Sequence, residues 1–401
     1  MGSRRARPFF FARERDDFPM TLTNSDVAEL THLRRILHRH PEISGEESET
    51  AHRISAALAA LAPDQVLGDL GGHGVAAVYT GQATGPSLLF RAELDALPIV
   101  ETGTPEYRSI TDGTGHLCGH DGHMAILVGL ARLLSRQRPA TGRVILLFQP
   151  AEETGAGAKA MIEDARFDTI APDYAFSLHN MPGLPLGHVG LISGAVNCAS
   201  RGMEITLAGK SAHASEPENG ISPMAALSAL MPTLTALSHG APQDQNFTLA
   251  TVTHTHMGAP VFGIAPGDAS LFVTLRSLLD DRMQALCDRA EALVADVART
   301  HDLGAAIAYH DIFMHCENHP ESTLILRNAL GTLGISHDHS GLPMRASEDF
   351  GRFGHIAKAA MLFLGAGRDH AALHNPDYDF PDDLIPIGTR IFHQVTRDLL
   401  G

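Results

Sequence analysis

Short apolar segments that alternate with helical segments are the feature of this sequence that most restricts its fold. Strand-like segments and one helical stretch follow each other at 74–80, 87–91, 124–134 (the helical one), 143–149 and 173–178. Residues 144–148 form a continuous apolar run, which is typical of a strand buried on both faces of a parallel sheet. The alternation predicts an α/β fold in which helices cover a mostly parallel central sheet.

The segment before these strands shows helical periodicity. Apolar residues at three- and four-residue spacing from Asn24 predict a helix that ends before Pro41. Ser44-Gly-Glu-Glu47 predicts a capping box that opens a second helix. We expect residues 1–19 to be a disordered extension, because Arg13 interrupts their apolar run too early for a secretory signal.

The middle of the chain has a different pattern. Residues 201–208 and 269–276 alternate polar and apolar side chains as half-exposed strands do. Further strands at 247–254 and 305–311 and helices at 223–237 and 281–300 complete two strand–helix–strand units. This pattern predicts a smaller α+β satellite domain at 193–312, inserted into a discontinuous catalytic domain of residues 20–192 and 313–401.

Composition excludes several classes of protein. The formal net charge of −16, without a basic patch, argues against a nucleic-acid partner. The longest apolar runs are far shorter than the ~20 residues that span a bilayer, so we expect no membrane partner. Four cysteines are too sparse for a disulfide framework, which predicts a reducing compartment and a cytoplasmic location. The 24 histidines make metal or proton chemistry a hypothesis to pursue.

Residues that can bind metals or move protons follow three of the predicted strands or lie between them in the chain. Ligands of open α/β sheets gather at the carboxyl ends of the strands. The residues concerned are Glu93, Asp95, Cys118, His120, Glu152, Glu153, His179 and, near the C-terminus, His374. Each of them alone also fits a solvated turn or the core, and only their convergence favours a site. Thiolate, imidazole and carboxylate groups suit Zn²⁺, Mn²⁺ or Co²⁺. One of two adjacent glutamates can bind metal while its neighbour stays free as a base, which indicates metal-assisted hydrolysis.

Seven motifs in order also give a family resemblance. Over roughly residues 30–390, the chain resembles the M20 metallopeptidase superfamily, in particular its amidohydrolase branch of N-acyl amino acid, hippurate and auxin-conjugate hydrolases. The motifs are Arg35-Ile-Leu-His-Arg-His-Pro-Glu42, Arg91-Ala-Glu-Leu-Asp-Ala-Leu-Pro98, Cys118-Gly-His-Asp-Gly-His123, Gln149-Pro-Ala-Glu-Glu153, Gly209-Lys-Ser-Ala-His-Ala-Ser215, Ser347-Glu-Asp-Phe350 and Leu373-His374.

The resemblance implies a dinuclear site with two divalent ions per subunit, of Mn²⁺, Zn²⁺ or Co²⁺. It implies that Glu152 is the general base and that Asp95 orients an imidazole. It also implies that the satellite domain mediates a homodimer or higher homo-oligomer, in which His213 reaches the partner's active site to stabilise the tetrahedral intermediate. The metal ligands that it implies are Cys118, His120, Glu153, His179 and His374.

The chain departs from the pattern of this branch at two places. Glu93 stands where the branch usually has an aspartate, and its extra methylene is expected to shift the wall beneath the metals. The Asn-x-Ile-Pro element that helps to hold substrate is replaced by Gly263-Ile-Ala-Pro266 after Phe262, so specificity is expected to differ. His123 is expected to pack or hydrogen-bond behind the site, and His116 has no assigned role.

The resulting expectation is a metal-dependent amidohydrolase that cleaves the amide of an N-acyl amino acid or a related small aryl amide. A dipeptidase or an aryl-amine aminohydrolase with the same dinuclear site is the alternative within enzymes. A catalytically inactive, ligand-binding homologue is a further alternative. The complete set of donors together with Glu152 argues against it, because a dead site has no physical reason to keep clustered polar groups.

Overall fold

The computed structural model describes residues 21–401, and the extension predicted at 1–19 lies outside them. The α-helices of this part of the chain are α1 (Asn24–Arg39), α2 (Ser48–Ala59), α3 (His120–Arg136), α4 (Gly157–Glu163), α5 (Met224–Thr235), α6 (Asp280–Thr300), α7 (Pro320–Leu333) and α8 (Leu384–Leu400). Short 3₁₀ turns lie at Ala165–Ile170, Pro217–Asn219 and Asp349–His355. The strands are β1 (Gln65–Leu70), β2 (Gly74–Thr80), β3 (Ala83–Glu93), β4 (Thr141–Gln149), β5 (Tyr174–Pro182), β6 (Val189–Gly190), β7 (Gly194–Asn197), β8 (Ala199–Ala208), β9 (Ala212–His213), β10 (Thr248–Met257), β11 (Ile264–Ala265), β12 (Asp268–Ser277), β13 (Gly304–Phe313), β14 (Cys316–Asn318), β15 (His337–Asp338) and β16 (Lys358–Gly367).

The large sheet has the strand order β1-β2-β4-β3-β5-β16-β6-β15. The pairs β4/β3, β3/β5, β5/β16 and β6/β15 are parallel. The pairs β1/β2, β2/β4 and β6/β16 are antiparallel. The prediction of an α/β fold with a mostly parallel central sheet is therefore confirmed. Strand β16 lies between β5 and β6, so chain segments from before and after the predicted satellite domain build one sheet.

Both faces of this sheet are covered, which explains the continuous apolar run in β4. Val144, Leu146 and Phe148 pack into the core formed with α1, α3, α7 and α8, whereas Ile145 and Leu147 pack into the core on the opposite face. Successive side chains of a strand point to opposite faces, so a strand covered on both faces needs apolar residues at every position. Helix α3 is buried along almost its whole length, because it lies between the sheet and both α1 and α8.

A second, smaller sheet has the order β10-β12-β8-β13, and all its pairs are antiparallel. One face is apolar: Leu271, Val273 and Leu275 of β12 pack beneath α5 and α6. Helix α6 presents buried residues at helical spacing, including Met283 and Ala290, to this face. The prediction of a smaller α+β satellite unit is confirmed. The second face of its sheet is mostly polar along β12, where it carries Ser270, Thr274 and Arg276.

Local differences from the prediction occur where long-range contacts decide the geometry. The capping box predicted at Ser44-Gly-Glu-Glu47 is wrong. The Ser44 hydroxyl donates to the Asp95 carboxylate at 2.7 Å, and the Glu47 carboxylate accepts from the backbone N–H groups of Gly45 and Ala151, each at 2.8 Å. Helix α3 begins at His120, before the predicted start.

Within residues 21–401, no helix combines the length and the apolar character needed to cross a bilayer.

Candidate active site

The first turn of α3 places two candidate ligands beside the carboxyl end of the large sheet. Cys118 and His120 flank Gly119, whose φ of +93° is in the left-handed region. A Cβ on Gly119 would lie 2.4 Å from the Asn180 side chain at the end of β5. Glycine adopts this positive φ without a conformational penalty, and it has no Cβ to collide with Asn180. The Cys-Gly-His sequence can therefore bring the thiol and the imidazole close to β5.

The five predicted metal ligands lie together and form two overlapping groups. One group is Cys118, His120 and His179, and the other is Cys118, Glu153 and His374; the donor atoms within each group lie within 4.8 Å of one another. Cys118 Sγ is 3.5 Å from His179 Nε2, and Glu153 Oε1 is 3.8 Å from His120 Nε2 and 3.6 Å from His374 Nε2. Two groups that share one thiol are a geometry suited to two neighbouring ions.

Unpartnered buried atoms show that this donor set fits divalent cations. His120 Nε2 and Glu153 Oε1 are buried and have no hydrogen-bond partner within residues 21–401. The opposite ring nitrogens are occupied: His120 Nδ1 lies 2.9 Å from the backbone oxygen of Asp95, and His179 Nδ1 lies 2.8 Å from that of Asn180. Contacts of this kind fix the ring orientation and leave Nε2 free to bind a metal.

The electrostatics of the cluster also favour cations. Burial opposes ionisation and raises the pKa of Glu153 to about 7. Burial and the neighbouring Glu153 carboxylate raise the pKa of the Cys118 thiol well above its usual range. Although burial opposes protonation of His120, the Asp95 and Glu93 carboxylates raise the pKa of that imidazole to about 10. Donors that hold protons in this way release them when a divalent ion binds, because the ion replaces the protons as the compensating charge.

Glu152 lies close to the ligands, and its carboxylate is within 4.8 Å of donor atoms of His120 and Glu153. Its carboxylate is buried, and its hydrogen bond in the described chain is a long one of 3.4 Å from the backbone N–H of Asp349. Burial and the carboxylates of Glu348 and Glu153 raise its pKa well above the usual range. A carboxylate with high proton affinity, next to a ligand and facing the cavity, has the properties of a general base.

A buried ion-pair network lies next to Glu152, whose carboxylate is within 4.8 Å of those of Glu348 and Asp349. Arg91 donates to Glu348 at 2.9 Å and Asp349 at 2.8 Å, and it also contacts Glu93. The Ser347-Glu-Asp-Phe motif was noted in the sequence, but no role for its two carboxylates was predicted. The network fixes the 3₁₀ turn at Asp349–His355 against β3, and Glu348 lines the same cavity as Glu152.

Asp95 is completely buried between β3 and the loop that carries the two glutamates. Its Oδ2 accepts from the Ser44 hydroxyl and from the Glu153 backbone N–H at 2.9 Å, while Oδ1 lies 3.4 Å from His120 Nδ1. Although burial opposes ionisation, His120 and these donors lower the pKa of Asp95. The shorter contact of His120 is therefore with the Asp95 backbone oxygen, and the carboxylate also holds the Glu153 backbone.

Two histidines near the ligands have different surroundings. His123 Nδ1 lies 2.6 Å from Glu93, and His123 Nε2 lies 2.5 Å from the Asn180 side chain, so the extra methylene of Glu93 reaches a ring behind His179. His116 is buried, and neither of its nitrogens has a partner within the described residues. Burial lowers the pKa of His116 to about 4, which keeps it neutral at physiological pH.

His213 lies away from the other predicted site residues. It is exposed, its Nδ1 is 2.7 Å from the Ser215 hydroxyl, and it does not line the cavity next to Glu152. Its strand β9 pairs with β11, and Ile264 is directly opposite His213. The structure therefore brings His213 together with the segment that departs from the Asn-x-Ile-Pro pattern, at the outer surface of the satellite unit.

A cavity of about 270 Å³ separates the ligand cluster from the polar face of the smaller sheet. Arg276 of β12 lines this cavity and was not predicted as a site residue. Its Nη1 donates to the Arg345 backbone oxygen at 3.1 Å and to the Ser347 hydroxyl at 2.8 Å, but within residues 21–401 it has no carboxylate partner. Burial lowers the pKa of Arg276. The alternation of β12 places Arg276 on the face opposite the core residues Leu271 and Val273, but it does not show that this face lies opposite the ligand cluster.

The fold and these donors, beside a free glutamate, define a metal-dependent hydrolase. The chain belongs to the peptidase family M20/M25/M40, whose sequence model matches residues 89–398. An N-acetyl-L-cysteine deacetylase of Bacillus subtilis (strain 168) is 31% identical over 374 residues, which cover 93% of this chain and 88% of that protein. A hippurate hydrolase of Campylobacter jejuni is 30% identical over 361 residues, which cover 89% and 93%.

Solved structures agree with this family assignment. A structure from Bacillus subtilis described as a dinuclear metal binding peptidase from the M20 family has a TM-score of 0.78 and 26% identity. The match covers 94% of this chain and 99% of that one. The resemblance inferred from the motifs and the prediction of a metal-dependent amidohydrolase are both confirmed.

Proposed function

We propose that this protein hydrolyses the amide bond of N-acyl amino acids and related small aryl amides. The observation that carries the proposal is Arg276, a half-buried cation without a carboxylate partner in the described chain, in the same cavity as Glu152. A charge removed from water needs a compensating partner, and guanidinium groups bind carboxylates through strong hydrogen bonds. A carboxylate close to the scissile amide distinguishes an N-acyl amino acid from a simple amide.

The cluster would hold two divalent ions, of Mn²⁺, Zn²⁺ or Co²⁺. Cys118, His120, Glu153, His179 and His374 would hold these ions. The thiolate and imidazole donors favour the softer of these ions. When bound, the ions lower the pKa of water and polarise the substrate carbonyl.

The chain's own residues supply the proton transfers and the positioning. Glu152 takes the proton from the attacking water, and it gives that proton to the amide nitrogen as the carbon–nitrogen bond breaks, so that the product leaves as a neutral amine. Arg276 holds the substrate carboxylate from the satellite side of the cavity. Asp95 keeps Glu153 and His120 in place through its contacts with the Glu153 backbone and the His120 ring.

We also propose that residues 193–312 form the interface of a homodimer and that His213 completes the partner's site by stabilising the oxyanion. Two features support this proposal: His213 does not line its own cavity, and the surface beside it is apolar. Phe262 is fully exposed, and Val261 and Ile264 are exposed next to it. Apolar patches of this kind mark interaction surfaces.

Because the cysteines at 118, 198, 287 and 316 are all unpaired and buried, we place the protein in the reducing cytoplasm.

The test combines metal analysis with a substrate panel of N-acyl amino acids, dipeptides and aryl amines, with products identified by mass. We expect hydrolysis of N-acyl amino acids. Glu152→Gln should keep the metals and lose about 10²–10⁴-fold in turnover, the usual cost of removing a general base. Glu153→Gln should lose metal together with activity. Release of ammonia from aryl amines alone would favour the aminohydrolase, and metal binding without turnover of any amide would favour the inactive homologue.

A further inference from the structure

The wall of the cavity has a gap at Gly202, in the middle of β8. Gly202 lies directly opposite Thr274 of β12 and His310 of β13 in the register of the smaller sheet. Ser200, two residues earlier on the same face of β8, lines the cavity, as do Gly202 and Thr274 themselves. The absent side chain therefore leaves a recess, whose floor is the bare backbone of β8 at Gly202, with Ser200 of β8 and Thr274 of β12 beside it.

The backbone does not require glycine at this position. The φ angle of Gly202 lies outside the left-handed region, and a Cβ placed there would have the His310 backbone oxygen as its nearest neighbour, at 3.3 Å. A shift of a few tenths of an ångström would accommodate it. Glycine inside a strand weakens the strand, and it often marks a place where a ligand approaches the backbone closely. The cavity over Gly202 offers space for such a ligand.

The register connects this recess to Arg276. Arg276 lies opposite Ser200, and the Thr274–Gly202 pair is one pleat further along, about 6.8 Å at the usual rise of a strand. In an N-acyl amino acid, the carboxylate and the side chain are bonded to the same carbon atom. When Arg276 holds the substrate carboxylate, the side chain of the substrate is therefore within reach of the Thr274–Gly202 pair.

Building on the proposed function, we propose that the recess over Gly202 receives the side chain of the amino-acid part of the substrate. Phe313 and Met344 also line the cavity, and they offer apolar contacts to a substrate side chain that enters it. Gly202 is thus a specificity-determining residue, and the wild-type protein accepts leucine and phenylalanine derivatives that a filled recess would exclude.

The experiment compares Gly202→Val with Thr206→Val, a control on the same face of β8. Thr206 is exposed and does not line the cavity. One substrate series keeps the acyl group and varies the amino acid from glycine to alanine, leucine and phenylalanine; a second keeps glycine and varies the acyl group. In Gly202→Val, kcat/KM for the N-acyl leucine and phenylalanine substrates, relative to that for the glycine substrate, should fall roughly 10-fold or more. This is the usual scale on which a binding pocket discriminates between apolar side chains of different size. Ratios in the acyl series should not change, and Thr206→Val should behave as wild type.

Thermal unfolding and metal content of each variant confirm that fold and metal site are retained. Gly202→Ala provides a second test if the valine variant does not fold, and it should shift the same ratio in the same direction by a smaller factor. Unchanged amino-acid ratios, or a change confined to the acyl series, would overturn the assignment of the recess while leaving the proposed function intact. Failure of the wild type to hydrolyse any amide would overturn the proposed function itself, and the recess with it.

Discussion

Replacement of Arg276 by glutamine tests whether this cation recognises a substrate carboxylate. The substitution removes the charge and leaves a neutral amide, while the Ser347 hydroxyl and the Arg345 backbone oxygen that held Nη1 remain in place. Arg276 has no carboxylate partner in the described chain, so its loss leaves no unpaired acidic group. We therefore expect the fold and the metal site to be retained.

The magnitude follows from the part of the guanidinium that remains free. With Nη1 engaged by the protein, the other nitrogens can form a charge-assisted hydrogen bond to the substrate, which contributes about 1.5–3 kcal/mol. Because about 1.4 kcal/mol corresponds to a tenfold change in rate, kcat/KM for an N-acyl amino acid should fall roughly 10- to 150-fold.

The assay measures kcat/KM for two substrates with the same acyl group: an N-acyl amino acid and the N-acyl amine that lacks its carboxylate. In Arg276→Gln the first value should fall and the second should stay close to wild type. Arg345→Gln is the matched control, because the Arg345 side chain is exposed and does not line the cavity. An equal loss for both substrates would refute carboxylate recognition and indicate a structural role for Arg276.

Three further predictions concern a ligand, the dimer and a buried histidine. Cys118 should react slowly with a thiol reagent in metal-loaded protein and faster after chelation, and equal rates would contradict its role as a ligand. Mixing His213→Ala with Glu152→Gln subunits should restore part of the activity; no recovery in verified heterodimers would exclude sharing of His213. Burial opposes protonation of His38, yet the Asp121 carboxylate at 2.9 Å and a second carboxylate raise its pKa to about 9. Since this value exceeds the unfolded one of about 6.5, the stabilisation is complete below pH 6.5 and is lost as the pH rises through 9. In the wild type, this loss lowers the free energy of unfolding by about 3 kcal/mol at most between pH 6 and 9.5. In His38→Gln, urea titrations should therefore show a smaller decrease over the same pH range. A decrease equal to that of the wild type would show that another group is responsible.

Elements with strong local periodicity were predictable from the sequence. The strand predicted at 74–80 coincides with β2, and the helix predicted at 281–300 begins one residue earlier, at Asp280. The two short strands at the β15 end of the large sheet were not predictable. Strands β6 and β15 have only two residues each, and their pairing is set by contacts with β16 and with each other rather than by their own sequence.

Within the site, the clustering of metal-type donors was predictable because strand ends of one sheet converge. The ion-pair network next to Glu152 was not predictable. Arg91 and Glu348 are 257 positions apart, and their pairing depends on the whole topology. Arg276 was not predicted as a site residue for a different reason. The alternation of β12 indicated which face it occupies, but not that this face lies opposite the ligand cluster.

The position of β16 between β5 and β6 determines the order in which this protein can be completed during synthesis. All four strands of the smaller sheet precede β16 in the chain, so the satellite unit can fold while the large sheet still lacks a central strand. Until β16 emerges from the ribosome, β5 has an unpaired edge, and unpaired edges are templates for aggregation. Premature termination after the satellite unit should therefore yield a folded insert attached to an aggregation-prone half-sheet. The C-terminal segment thus closes the large sheet last, after the chemistry-bearing strand ends β3, β4 and β5 are already in place.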